Sequence, residues 1–400
     1  MKTIFDNIKG DKAIWAVVAL LALFSFLPVY SASTNLVYVV GSGTTIGYLL
    51  KHGMLLILGF AIIYGVHKIP YHYFKGLSII ALPVVLLLLS YTLAQGATIG
   101  GANASRWIRL PFVGVTFQTS TLASVVLLIY VARYLCKISD KKVSFKETIL
   151  PLWLPVFLVL ILILPANFST TAILFVTILM LCFLGGYPIK YLSAIVGVGI
   201  LALAMFVLTA KAFPELFPNR VDTWISRVEN FADKEDTEAD YQIEKAKIAI
   251  ATGGIVGKGA GKSVMKNFLP QSSSDFIYAI IVEEYGLIGA LAVVFVYMLL
   301  LFRIVIVAHK STSIFGKLIV IGVGLPIVFQ ALINMAVAVE LFPVTGQTLP
   351  LISSGGTSIW MTCLALGIIL SVSSKRQEVL EEEVKEENEL NPLEILSEQL

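Results

Sequence analysis

Residues 276–302 read FIYAIIVEEYGLIGALAVVFVYMLLLF, and only Glu283 and Glu284 interrupt an otherwise uncharged, mostly apolar run. The run is longer than the roughly 20 residues that an α-helix needs to cross the hydrocarbon core of a bilayer. Water is absent there, so a closed helix is the simplest way to satisfy every backbone polar group. The stretch therefore predicts a membrane-spanning helix.

Nine further apolar runs, each bounded by charged or turn residues, have the same character. They cover residues 13–30, 46–66, 77–95, 117–135, 149–165, 170–186, 191–210, 318–341 and 355–373. Hydrophobic residues make up 57% of the 400-residue chain and charged residues only 14%, which is more apolar surface than a soluble core could bury. We therefore predict an all-α polytopic membrane protein of about ten transmembrane helices. Because nine spans follow the first run, we interpret that run as an uncleaved helix and not as a signal peptide.

The distribution of Lys and Arg predicts the orientation of these spans. Alternate short loops carry the basic residues, whereas the loop 31–45 has neither Lys nor Arg. Both termini are then cytoplasmic. The membrane domain covers residues 1–375, with a large outer loop at 211–275 between helices 7 and 8, and an acidic cytoplasmic tail covers 376–400. Arg106 and Arg109 fall in an outer segment, which indicates an anionic ligand at the outer interface.

The three cysteines give no metal site or disulfide framework. Cys136, Cys182 and Cys363 lie far apart in the sequence, without CxxC spacing and without a nearby histidine. We expect them to be small buried hydrophobic residues.

Polar residues that a lipid-facing helix would avoid concentrate in residues 211–290. Residues 241–250 have the spacing of an amphipathic helix that lies along the membrane surface. The glycine-rich segment 253–263 lacks the spacing of a Walker A loop. Two interpretations stay open for it: a flexible backbone that, with Lys258, Lys262 and Lys266, contacts a pyrophosphate, or a turn that returns the chain to the next helix.

A single aspartate stands where the eighth span begins. Asp275 could cap that helix, as Ser and Asp commonly do. Glu283 and Glu284, inside the span, indicate a wet cavity or a buried partner. Prolines and small residues in 343–358 predict irregular backbone that lines a cavity, or close helix packing.

Several short motifs occur in order along the chain. They are GANASRWI at 101–108, YQ at 241–242, the glycine-rich segment with Lys266, LP at 269–270, SDFIYA at 274–279, EEYG at 283–286, and PVTGQTLPLISSGGTS at 343–358. In this combination they resemble the SEDS family of shape, elongation, division and sporulation proteins, which comprises RodA and FtsW. The resemblance covers residues from about 10 to 375 and implies the SEDS fold.

The resemblance implies a peptidoglycan glycosyltransferase that polymerises lipid II into glycan strands on the outer face of the bacterial cytoplasmic membrane. Asp275 would be the general base that activates the acceptor hydroxyl, and undecaprenyl pyrophosphate would leave. The resemblance further implies a set of substrate-binding residues, some of them cations facing the pyrophosphate. They are Arg106, Trp107, Lys258, Lys262, Lys266, Glu283, Glu340 and Ser353. A divalent cation, Mg²⁺ or Mn²⁺, is expected, and no organic cofactor.

The chain departs from the family at two places. The fourth span has Thr121 and Ser124 where most members have a glutamate and a lysine, and Asn167 replaces an aspartate. Glu340, where the family often has a small residue, is expected to compensate for these lost charges.

The variants at residues 10–15 and 117–121 favour the FtsW branch of Bacteroidetes-type bacteria over RodA. This branch implies a class B penicillin-binding protein and other divisome proteins as partners, and no nucleic acid. Two alternative functions remain: a lipid II flippase, and a structural scaffold of a division complex. Only the polymerase requires a base at position 275.

Overall fold

The computed structural model describes residues 8–40, 44–95, 107–109, 116–139, 141–212, 238–269 and 271–375. Eleven longer helices, one short 3-10 helix at Met265–Asn267 and one two-stranded sheet form within them. The helices are α1 Lys12–Val40, α2 Thr45–Val66, α3 Tyr73–Gln95, α4 Thr119–Ile138, α5 Phe145–Ile163, α6 Phe168–Leu184, α7 Ile189–Ala212, α8 Glu238–Gly253, α9 Ile277–Lys310, α10 Ile314–Ala338 and α11 Ser358–Lys375. The acidic tail 376–400 and Arg106 lie outside the described residues.

Ten of these helices coincide with the ten predicted spans. Helices α1 to α5 and α9 to α11 are long and apolar enough to cross a membrane, and α6 and residues Ile189–Met205 of α7 are shorter apolar helices. The outside of the bundle is apolar: Leu23, Ile57, Leu87 and Leu150 are each at least 70% exposed. Such a surface requires lipid as its solvent. The predicted all-α membrane fold is confirmed.

The first predicted loop begins too early in the sequence. Residues 31–40 continue α1, although the serines there read as a loop. Ser31 and Ser33 are buried, and the Ser33 hydroxyl donates to the Val29 carbonyl one turn earlier at 2.6 Å. A hydrogen bond from a serine hydroxyl to the carbonyl one turn earlier satisfies the hydroxyl inside a helix, and the helix continues.

The segment between α3 and α4 forms a short hairpin where it is described. Strand β1 Trp107–Arg109 pairs antiparallel with β2 Thr116–Gln118, and Trp107 lies opposite Gln118. The Thr357 hydroxyl, at the last helix, donates to the Thr116 carbonyl at 3.2 Å and accepts from the Gln118 amide at 3.2 Å. The hairpin is thereby fixed against the start of α11.

Helix α8 is the predicted amphipathic helix. Its residues Ile243, Ala246 and Ala249 are buried, whereas Glu244 and Lys247 are exposed. The apolar face packs against a cluster that includes Phe276 and other residues from the start of α9 and the end of α10. The predicted division into two faces is confirmed, and the partner of the apolar face is protein.

Two ends of the bundle can be recognised from contacts between distant residues. Asp11 caps α1 by accepting from the amides of Ala13 and Ile14 at 3.0 and 3.1 Å, and it forms an ion pair with Arg303 near the end of α9. The beginning of α1 and the end of α9 therefore lie at the same end of the bundle. Asp275, which precedes α9, lies toward the opposite end.

Candidate functional site

A cavity of about 550 Å³ opens at the end of the bundle where α4, α6, α9 and α11 begin. Amide and hydroxyl side chains from several elements line it together with apolar residues. The polar and aromatic residues of its described lining include Tyr48, Lys51, Trp107, Gln118, Thr121, Ser124, Asn167, Thr170, Gln271, Asp275, Gln330 and Gln347. A mixed lining of this kind suits a ligand with both a polar and an apolar part.

Three hydrogen bonds fix the backbone around Asp275. The carbonyl of Ser273 accepts from the amide of Ser354 at 2.9 Å, and the carbonyl of Ser274 accepts from the Ser353 hydroxyl at 2.7 Å. The Asp275 carbonyl accepts from the Asn334 side-chain amide at 2.7 Å. Successive carbonyls held by separate elements position the carboxylate firmly, which is what a general base requires.

The position of Asp275 differs from that of an ordinary helix cap. Helix α9 begins at Ile277, and Phe276 occupies the N-cap position, so Asp275 lies one residue outside it. The Asp275 side chain is half-buried and forms part of the cavity wall.

The sites of departure from the family pattern all lie in this cavity. Thr121 and Ser124 of the fourth span and Asn167, the residue before α6, belong to its lining. Lys51 and Asp275 are the two charged residues in the described part of that lining. Apart from this pair, the described lining consists of neutral polar and apolar residues.

Sequence reasoning missed Lys51, which lies on α2 within its second turn. A signal was available, because Lys51 is the one Lys or Arg in an otherwise apolar span, and ionisable residues in such spans usually face water or a partner. The cavity-lining amides of Gln271 and Gln330 were also missed. Gln347 belongs to the segment 343–358, and its place in the lining agrees with the prediction that this segment lines a cavity. Trp107 does line the cavity, and its role there stays a prediction.

Glu283 lies away from the cavity and anchors the glycine-rich loop. It is fully buried and accepts four hydrogen bonds from that loop. The donors are Lys258 Nζ at 2.7 Å, Ser263 Oγ at 2.5 Å, the Val264 amide at 3.1 Å and the Met265 amide at 3.2 Å. These contacts indicate a structural role for Glu283 and Lys258.

Several backbone N–H groups of the glycine loop likewise donate hydrogen bonds to acceptors within the protein. The amides of Lys258 and Gly259 donate to the carbonyls of Glu283 and Glu284 at 3.0 and 2.9 Å, and the Ser263 amide donates to the Glu284 carboxylate at 3.2 Å. Since α9 already supplies the acceptors, these N–H groups are not presented to a pyrophosphate. Of the two interpretations of residues 253–263, the structure supports the packed turn.

The remaining predicted residues also lie outside the described cavity lining. Lys262 is exposed, and Lys266 Nζ donates to the Gly261 carbonyl at 2.9 Å and to Ser31 Oγ at 3.3 Å. Glu340 forms an ion pair with Lys247 of α8 at 2.5 Å, so it does not replace the lost cavity charges. Ser353 is buried and acts on the backbone, accepting from the Leu349 amide at 2.7 Å and donating to Ser274.

The expected divalent cation has few protein ligands here. In the described part of the chain no group of three or more His, Cys, Asp or Glu side chains could hold a metal ion. Magnesium is often held by one or two carboxylates together with substrate phosphates and water. Asp275 is the carboxylate that would serve such an ion, and the cation stays a prediction.

Comparisons with known proteins agree with this architecture. A family model for FtsW, RodA and SpoVE cell cycle proteins matches residues 11–378. The chain is 32% identical over 332 residues to the "Probable peptidoglycan glycosyltransferase FtsW" of Nitrosococcus halophilus, covering 81% of this chain and 82% of that protein.

Solved structures have the same fold. One, described as "Structural coordination of polymerization and crosslinking by a peptidoglycan synthase complex", gives a TM-score of 0.71 at 26% identity and covers 92% of this chain and 98% of the other. The Rod shape determining protein RodA of Thermus thermophilus gives a TM-score of 0.65 at 23% identity, covering 92% and 97%. The chain therefore belongs to the FtsW/RodA/SpoVE family of cell cycle proteins.

Proposed function

We propose that this chain is a peptidoglycan glycosyltransferase that polymerises lipid II on the outer face of a bacterial cytoplasmic membrane. The observation that carries the proposal is Asp275, a carboxylate held by its backbone at the edge of a 550 Å³ polar cavity in an apolar bundle. A lipid-linked sugar needs such a combination, because its polyprenyl chain stays in the bilayer while its disaccharide reacts in water.

The reaction assigns a distinct task to each charged cavity residue. Asp275 removes the proton from the 4-hydroxyl of the acceptor GlcNAc, and the oxygen attacks the anomeric carbon of the donor MurNAc with inversion. The bond from that carbon to the pyrophosphate oxygen breaks, and undecaprenyl pyrophosphate leaves with the bonding electrons. Lys51 is the described cavity cation that can stabilise the developing negative charge.

The division branch of the family and its partners belong to the same proposal. The similarity to a protein named FtsW favours septal synthesis with a class B penicillin-binding protein and other divisome proteins. A solved relative described as part of a peptidoglycan synthase complex supports a transpeptidase partner. The flippase remains the second candidate, since it too would use a cavity of this size.

A polymerisation assay separates these functions. The purified full-length chain, supplied with its transpeptidase partner and labelled lipid II, should form glycan strands. Asp275→Ala should reduce polymer formation by at least about 100-fold, the lower range for loss of a general base. Glu340→Gln is the control, because Glu340 lies outside the described cavity lining and forms an ion pair with Lys247 of α8. Polymer formation by Asp275→Ala at the wild-type rate would exclude the proposed base.

A further inference from the structure

A second pocket lies at the opposite end of the bundle from Asp275. It has a volume of about 370 Å³. It lies where α4 and α6 end and where α5 and α7 begin. Helix α4 has 20 residues, and at 1.5 Å per residue it spans about 30 Å. Residues near its start line the cavity and Ile138 at its end lines this pocket. The cavity lining reaches along α4 as far as Leu128, halfway down the helix, so the two sites open at opposite ends of the bundle and their linings are roughly 15 Å apart along α4.

The pocket is basic. Lys141, Lys142 and Lys190 line it with exposed side chains, and its described lining contains no acidic residue. Among the described residues, the ion pairs include none of these three lysines. The ammonium of Lys190 lies 4.9 Å from the ring centre of Tyr191. Three like charges around one concave site repel one another, and a bound anion would relieve that repulsion.

Hydrogen bonds of Tyr187 fix the connection between α6 and α7, which forms one wall of the pocket. Tyr187 is 3% exposed, and its hydroxyl lies 2.7 Å from Thr148 Oγ1 and accepts from Trp153 Nε1 at 3.1 Å. Gly186 adopts a φ of 75°, and the Tyr187 amide donates to the Cys182 carbonyl at 2.9 Å. This ends α6 with the left-handed glycine turn that commonly terminates helices. Lys190, in the first turn of α7, therefore follows a connection of fixed geometry.

Exposed apolar side chains border the basic pocket. Phe183, Leu184 and Ile189 are 58%, 51% and 63% exposed, and they lie at the facing ends of α6 and α7. A ligand that fills this site would meet lysines at its polar end and an apolar helix surface beyond. Soluble anions such as inorganic phosphate would use only the first of these features.

We propose that this pocket binds the phosphate headgroup of an anionic phospholipid in the leaflet opposite the catalytic cavity. Basic pockets between membrane helices on the cytoplasmic side are suited to such headgroups. The lysine ammonium groups contact the phosphate oxygens, and the acyl chains lie along the exposed faces of α6 and α7. The site would tie α4, α6 and α7 together through one lipid molecule.

Native mass spectrometry of the purified full-length chain tests this proposal. The chain is titrated with phosphatidylglycerol and, separately, with zwitterionic phosphatidylcholine. Wild-type protein should prefer phosphatidylglycerol. The triple variant Lys141→Gln, Lys142→Gln, Lys190→Gln should bind phosphatidylglycerol at least about tenfold more weakly, since each lysine near an anionic lipid contributes several-fold to affinity. The matched control replaces Lys68, Lys310 and Lys317, which lie outside the pocket, with glutamine.

The outcomes separate three cases. A preference for phosphatidylglycerol that only the pocket variant loses supports the proposal. Equal loss in both triple variants overturns it, because the effect is then one of overall charge. The acidic tail is the competing occupant, with nine glutamates in residues 376–400. If the preference appears only when tail residues Glu381, Glu382, Glu383, Glu386 and Glu387 are changed to glutamine, the pocket binds the tail, and the lipid proposal is wrong.

Discussion

Two carboxylates only eight positions apart in the sequence have different tasks because of their surroundings. Glu283 is completely buried, and four donors from the glycine loop satisfy it. Asp275 is half-buried at the wall of a polar cavity, and its neighbours bind its backbone. A buried, fully bonded carboxylate stabilises the fold, whereas one beside water can exchange a proton with a substrate.

Glu283→Gln should therefore lower stability while leaving the affinity for lipid II unchanged. The variant leaves Lys258 without its anionic partner, and losing one member of a partly buried pair costs about 2–3 kcal/mol. Thermal unfolding in detergent and the KM for lipid II measure the two effects separately. Glu244→Gln is the control, because that carboxylate is 62% exposed. A raised KM with unchanged stability would instead restore Glu283 to the substrate site.

Lys51 should affect activity and leave stability unchanged. Replacing its exposed ammonium with the apolar side chain of Lys51→Met should lower the polymerisation rate by about 10–100-fold, the equivalent of one charged hydrogen bond. Lys51→Arg keeps the charge and should recover most of the rate. If both variants polymerise like the wild type in the lipid II assay, the leaving group is stabilised elsewhere.

The sequence made some of these residues easier to identify than others. Asp275 was identified through its motif, since an aspartate before an apolar run is chemically ordinary. The sequence does not assign Lys51 to a cavity, because a lone lysine near a helix end can also reach the membrane interface with its long side chain. The sequence leaves the role of Lys258 open, because a glycine loop with lysines has the same pattern whether it binds an anion or packs on a helix. Its buried partner Glu283, 25 positions later, decides between them.

Helix α9 and the glycine loop form one structural unit. Gly286 has φ 65° and ψ −164°, which interrupts the regular helix. The loop enters that break: the amide of Leu287 donates to the Gly254 carbonyl at 2.9 Å, and that of Ile288 donates to Ile255 at 3.2 Å. Hydrophobic patterning correctly predicted where the span begins, but the helix continues eight residues beyond the predicted end at residue 302. It could not reveal the break, because the interruption depends on a backbone contact between distant segments.

The glycine loop approaches the backbone of α9 very closely at Gly257. A Cβ there would lie 2.2 Å from the Glu284 carbonyl oxygen, and its φ of 86° is already unfavourable for alanine. Gly261 has a similar φ of 77° but open space around the same position. Gly261→Ala should cost about 1–2 kcal/mol from backbone conformation alone. Gly257→Ala should cost clearly more, measured as the loss of thermal stability in detergent. Equal losses would mean that the close approach does not limit stability.

The helix bundle has two chemically different ends. One carries the polar cavity with Asp275, and the other carries the lysine pocket and the Asp11–Arg303 pair. The positive-inside rule predicts that the lysine end is cytoplasmic. The proposed polymerase requires this orientation, because its product belongs to the wall outside the membrane.

Labelling at the two ends of one helix tests the orientation directly. Gln271, just before α9, and Lys310, at its end, are both exposed. Each is changed to cysteine in a chain whose three native cysteines are alanine. In spheroplasts a membrane-impermeant maleimide should react with Gln271→Cys at once and with Lys310→Cys only after permeabilisation. The reverse pattern would place Asp275 in the cytosol, away from the growing wall, and the assignment as a polymerase could not stand.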